Sequence, residues 1–243
     1  MLDNQSLNLT IMLNQTMAEN FEHINLNEET FIKVMKKEPV SNLDKIDYRI
    51  VYQFGQEFLR IMSLKNVLNF NDILKINENI GYKLNLNPGE FAERNRYVSS
   101  FNNTYITIPP QDVFIKEKEF MLLINQLNYE QDVIKRQSLI FIFFINEIVE
   151  QWFMDGNKRT ALIVCNKLLL QYCCFDKNRL LIKFDNAKFN DLLANYYIEK
   201  HHTNDNEFQQ KLIDFLIEST KDNIDISNLD NLSFEHVSNF FKN

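Results

Sequence analysis

Glycine and proline are scarce. The 243-residue chain holds four of each, where ordinary usage would give about 17 and 12. Tight turns and strand punctuation are therefore few, and the expectation is a mainly α fold. Positive charge is also short: 26 Lys and Arg stand against 33 Asp and Glu, for a formal net charge of -7. Such a surface offers no basic footprint for a phosphate backbone, so nucleic acid is not the expected partner. Long apolar runs are missing too. The longest, Leu139 to Ile145, is far short of the about 20 residues that cross a bilayer, and no basic-then-apolar leader opens the chain. No membrane partner is expected, and the sequence reads as a soluble cytoplasmic protein. The cysteines, Cys165, Cys173 and Cys174, are odd in number and have no histidines at zinc spacing around them, which reads as buried thiols in a reducing compartment. What remains, 45% hydrophobic and 24% charged residues, is ordinary globular composition and excludes a disordered or collagen-like chain.

Periodicity predicts helices over Ile11 to Asn20, Asn27 to Lys37, Ile46 to Met62 and Phe70 to Tyr82. Between Asn85 and Pro110 the pattern changes, and Tyr105, Ile106, Thr107 and Ile108 alternate as a short strand in a hairpin or flap. Helical spacing resumes over Val113 to Leu127, Asp132 to Trp152, Lys158 to Cys174, Phe189 to Glu199 and Glu207 to Lys221, with an acidic, Asn-rich tail beyond. The stretch from Leu139 to Val149 is apolar almost all round, which suits a helix at the centre of the fold.

Chemistry concentrates in the polar loop that joins the two most apolar helices, Gln151 to Leu162. Gly156 is the only glycine after Gly89, Asn157 is a good N-cap, and the next helix would present free N–H groups to an anion. Lys158 and Arg159 add two cations there, the arginine with a fork matched to phosphate oxygens. Asp155 is placed to hold Mg²⁺ bridging such phosphates. An ordinary helix–helix turn with a solvated Lys158 and Arg159 fits the same residues.

This loop resembles the motif H-x-F-x-[DE]-G-N-[GK]-R of the Fic/Doc (Fido) family, with Phe153, Asp155, Gly156, Asn157, Lys158 and Arg159 matching in place. Lys158 with Thr160, Ala161 and Leu162 is similar to the Doc branch. The resemblance extends over about residues 45 to 200 and implies a Fido-type helical bundle with a small β-hairpin flap. It implies an N-terminal segment over 1–44, a Fido domain over 45–200 and a C-terminal helical extension over 201–243. By the same resemblance, ATP and Mg²⁺ are the cofactors. Gly156, Asn157, Lys158 and Arg159 would hold nucleotide, Asp155 the metal, and the flap residues Tyr105, Ile106, Thr107 and Ile108 would align a target protein with a Ser, Thr or Tyr hydroxyl.

Two positions depart from the pattern. The family's catalytic histidine is Gln151 here; an amide does not titrate near neutrality, so a general-base contribution of ~10²–10⁴ in rate is lost. Leu162 stands where the Fic branch has a second arginine. Upstream, Glu19-Asn20 resembles the end of the family's inhibitory signature, and this implies an inhibitory role for Glu19 against Lys158 or Arg159. Two functions follow as expectations. One is a weak transferase of AMP or phosphate to protein hydroxyls, with Gln151 orienting the acceptor; the other is an inactive nucleotide-binding interaction or regulatory module. The histidines, His23, His201, His202 and His236, all fall outside the motif.

Overall fold

A computed structural model describes residues 4–84, 87–99, 105–173, 180–181, 183–202 and 206–220. Cys174, His236 and the Asn-rich tail lie outside them. Helix α1 (Asn4–Met17) runs into a π-helical turn (Ala18–Glu22), which His23 ends in the left-handed region at φ 57°. Helix α2 (Glu28–Met35) starts where the sequence places it, because the Asn27 side chain accepts the Thr30 N–H at 2.8 Å. The same device opens α3 (Lys45–Ser63), capped by Asp44, and α4 (Phe70–Gly81), closed by a reciprocal capping box between Asn69 and Asp72.

Strands β1 (Arg96–Ser99) and β2 (Tyr105–Ile108) pair antiparallel with Arg96 opposite Ile108 and Tyr97 opposite Thr107. The alternation read from sequence is present: Ile106 and Ile108 are buried, and Thr107 faces solvent. Helices α5 (Val113–Tyr129), α6 (Val133–Glu150), α7 (Asn157–Tyr172), α8 (Asn186–His202) and α9 (Glu207–Ser219) complete the described chain.

The centre is the α6–α7 pair. Helix α6 touches α5, α8 and α9, while α7 lies against α3 and α4, and β2 rests on α8. Composition makes α6 the apolar centre, yet α7 is as deeply enclosed and buries polar groups with it. Asn166 and Lys167 are hydrogen-bonded, as burial requires. Asn166 accepts the Leu181 N–H and donates to the Leu162 and Leu181 carbonyls, and Lys167 donates to the Leu64 carbonyl at 2.6 Å. Burial pushes the Lys167 ammonium down to about 8.

The N-terminal helices are part of the same body. Helices α1 and α2 pack on α3, and Gly55 permits the approach: a Cβ there would lie 2.8 Å from the Met35 sulfur and 3.0 Å from the Asn14 amide nitrogen. One apolar core results, from Ile11 to Leu216. Phe31, Phe54 and Phe58 are buried at this seam, each stabilising the fold by about 1.5–3 kcal/mol. Among the described residues no helix is long and apolar enough to cross a membrane.

Candidate functional site

The loop between α6 and α7 is set by two left-handed residues. Gln151 takes φ 50° at the end of α6, and Gly156 takes φ 76° just before α7. A side chain rarely adopts that region without support from its surroundings. Gln151 has it. Its Nε2 donates to the Ile148 carbonyl at 2.6 Å and to the Tyr197 hydroxyl at 2.9 Å, and its Oε1 accepts from Asn157 Nδ2 at 3.2 Å. Tyr197 in turn donates to the Ile148 carbonyl. The amide read as a partner for an acceptor hydroxyl is thus engaged at both ends within the protein.

Asn157 is not the N-cap that the sequence suggested. Gly156 occupies that place and α7 begins one residue earlier, at Asn157. The cause is the left-handed turn at Gly156, which leaves the Asn157 side chain to staple the loop. Its Oδ1 accepts the Phe153 N–H at 2.8 Å and its Nδ2 donates to the Phe153 carbonyl at 2.9 Å. Among the described residues no side chain therefore caps α7. The first N–H groups of the helix keep their affinity for an outside acceptor, and the helix dipole adds to it.

Arg159 lies one turn inside α7 and is 3% exposed. Its Nε is 2.9 Å from Glu22 Oε1 and its Nη2 is 3.6 Å from Asp155. The contact with Glu22 is an ion pair without hydrogen-bond alignment, since both Nε and Nη1 lack a hydrogen-bond partner among the described residues. Lys158 is half-buried with its Nζ 5.6 Å above the Phe21 ring. Burial lowers its pKa, and the charge of Glu22 opposes that shift. Burial raises the pKa of Glu22, which Arg159 draws down less strongly. Asp155 is exposed and accepts the Gly156 N–H at 2.6 Å.

The carboxylate at the loop is Glu22, not Glu19. Glu19 is exposed, while its neighbours Ala18 and Asn20 are buried. The π-helical turn supplies the reason: a wider turn changes the angular step per residue, so the face that meets α7 belongs to Phe21 and Glu22.

Several positioning residues gave little or no signal in sequence. Asn77 on α4 donates to the Asp155 carbonyl at 2.9 Å and to the Thr160 hydroxyl at 3.1 Å, and accepts the Gly89 N–H. Its one clue is a polar side chain in the inward series Ile73, Ile76 and Ile80. Glu150 pairs with Lys116 at 2.8 Å and Lys200 at 3.3 Å and accepts the Trp152 indole N–H at 3.1 Å. Burial alone would raise its pKa, but the hydrogen bond and charge of Lys116 lead the contacts that hold it below the ordinary value. Tyr197 on α8 carries no sequence signal.

The flap side closes on the loop. The Ala92 N–H bonds the Trp152 carbonyl at 2.8 Å, Phe91 bridges Phe153, and Arg96 Nη1 lies 3.7 Å from the Met154 sulfur. Ile106, Thr107 and Ile108 sit on the paired strand, with Tyr105 at its start. His201 stacks on Tyr197 at 6.5 Å, whereas His23 and His202 are exposed. Among the described residues no three His, Cys, Asp or Glu side chains gather as a metal site.

Residues 67–169 match the Fic/DOC family model. No curated protein matches the sequence. Among solved structures, a Fic family protein from Desulfovibrio desulfuricans is similar at a TM-score of 0.59 and 15% identity, covering 93% of this chain and 66% of its own. A Fic-domain signaling protein from Bacteroides thetaiotaomicron gives 0.63 and 16%, covering 97% and 88%. IbpAFic2, covalently tethered to Cdc42, gives 0.52 and 12%, covering 88% and 63%. The chain thus spans about two thirds of the first and third of these. At such identities the likeness is one of fold, and the segment 67–169, which carries the loop just described, is the part of the chain that matches the Fic/DOC family model.

Proposed function

We propose that the chain binds the phosphates of an adenine nucleotide at the N-terminus of α7 and acts as a Fic-type regulatory module whose group-transfer step is suppressed. Arg159 carries this reading: a guanidinium 3% exposed at an uncapped helix end, with an Nη1 donor that finds no acceptor among the described residues. A buried charged donor left unpaired is costly, and a phosphate oxygen supplies the missing bond in the form guanidinium favours. Gly156, Asn157 and Lys158 provide the backbone donors and second cation beside it. Asp155 fits a Mg²⁺ shared with phosphates, because that ion uses one or two carboxylates and keeps its remaining ligands as water and phosphate. When bound there, the ion would offset phosphate charge. Suppression follows from Gln151, an amide with no titration near neutrality and both ends engaged. In this reading residues 45–200 are the Fido domain, 1–44 a regulatory segment, 201–243 an extension, and the setting is cytoplasmic. Calorimetric titration with ATP and Mg²⁺ tests it. Joint Asn157→Ala and Arg159→Ala substitution should weaken affinity at least about tenfold; unchanged affinity would move the site elsewhere.

The hairpin favours a second reading. Strand β1 touches the loop through Arg96 and Met154, as suits a flap that aligns a target side chain. The chain would then transfer AMP or phosphate slowly to a Ser, Thr or Tyr hydroxyl of a protein. Label from α- or γ-marked ATP appearing on protein would favour this reading over the first.

A further inference from the structure

We infer that the outer face of α5 is a docking surface for this chain's own C-terminal segment, residues 221–243. Helix α5 buries Lys116, Phe120, Leu123 and Leu127 on one side. At 100° per residue the opposite side carries Phe114, Met121, Leu122 and Tyr129. These are 74%, 57%, 61% and 84% exposed. Scattered apolar residues on a surface are ordinary, but four large ones on one helix face, opposite the buried face, mark an interaction site. A groove of about 380 Å³ runs alongside, between α4 and α5, with Phe70, Phe120, Met121 and Ile124 in its walls. The face therefore offers a ridge and a slot next to it.

The point where the described chain ends selects the occupant. Thr220 accepts a hydrogen bond from Gln137 on the second turn of α6. The adjacent Arg136 donates to the Glu130 carbonyl, just past α5, and to the Tyr172 carbonyl. Gln171, next to Tyr172, holds Asn66 and Leu68, and Leu68 lines the groove. The described chain thus leaves off, at Thr220, beside the start of α6 and the end of α5, and Gln171 links that end of the bundle to Leu68 of the groove. The 23 residues from 221 to 243 would span about 34 Å as a helix and more if extended, against about 25 Å for α5. Their apolar residues Phe234, Val237, Phe240 and Phe241 recur at i, i+3, i+6 and i+7, the spacing by which one helix face enters an apolar groove. Tether, length and pattern agree on an intramolecular partner, independently of the nucleotide site.

Photo-crosslinking of the full chain tests this. Phe240 is replaced by benzoylphenylalanine, the protein is irradiated at low concentration, and the products are sized and mapped by peptide mass. The expected product has the mass of one chain and joins position 240 to residues within 113–129 or 68–71. Leu122→Asp or Met121→Asp, both at exposed positions, should lower its yield at least about tenfold without changing the melting temperature. A product of twice the chain mass would assign the face to a second copy and overturn the proposal. Attachment elsewhere, no attachment, or a yield indifferent to both substitutions would also overturn it.

Discussion

Glu22 and a bound phosphate would compete for one guanidinium. With Glu22 Oε1 2.9 Å from Arg159 Nε and its charge also felt at Lys158, Glu22→Ala should tighten ATP binding by about tenfold, or ~1.4 kcal/mol, and AMP binding by less. Glu19→Ala, at an exposed position, should leave affinity unchanged. Equal ATP affinity in wild type and Glu22→Ala would remove the competition from the account. A second residue-scale expectation concerns Glu147, fully buried with neither carboxyl oxygen hydrogen-bonded among the described residues. Burial, then the charge of Glu150, raises its pKa well above the ordinary value. The folded chain keeps a proton that the unfolded chain releases above about pH 4.3, so this group's contribution is intact below that pH and is lost as pH rises toward the folded pKa. Glu147→Gln keeps the shape without the titration. Its urea midpoint should overtake that of wild type progressively as pH rises above about 4, and a gap that does not change with pH would contradict the assignment.

At the scale of elements, the loop is held because α4, α5, α6 and α8 converge behind it. Glu150, near the end of α6, meets Lys116 of α5 and Lys200 of α8. Lys116 keeps Glu119 at 2.8 Å when Glu150 is truncated, but a buried carboxylate that accepts from Lys116 and Trp152 is lost, so Glu150→Ala should cost about 1–3 kcal/mol in chemical denaturation. A loss below about 1 kcal/mol would show the network to be solvated. Helices α2 to α9 were legible from the spacing of their apolar residues, to within a few residues at their ends. The junction of α1 with its π-helical turn was not. The choice of Glu22 over Glu19 depends on one extra residue in that turn, which no apolar periodicity reports. The role of Asn157 was misjudged for a related reason: a cap and a loop staple use the same amide, and only the φ of Gly156 decides between them.

Across the whole molecule, one core joins the N-terminal helices to the segment that matches the Fic/DOC family model, so the carboxylate that meets Arg159 is packed into the same core as the loop. The motif residues Phe153 to Arg159 were legible as a candidate site because they are contiguous in sequence. Asn77 and Tyr197 act on that loop from 78 and 46 residues away, a distance that only the packed fold closes. The central claim is an anion site kept intact beside an engaged amide that cannot take a proton. Labelled ATP, incubated with wild type, Gln151→His and Gln151→Ala and a protein acceptor mixture, tests it most directly. The account predicts label transfer near background for wild type and Gln151→Ala, with a rise of about 10²-fold or more for Gln151→His. Transfer by wild type as fast as by Gln151→His would contradict it.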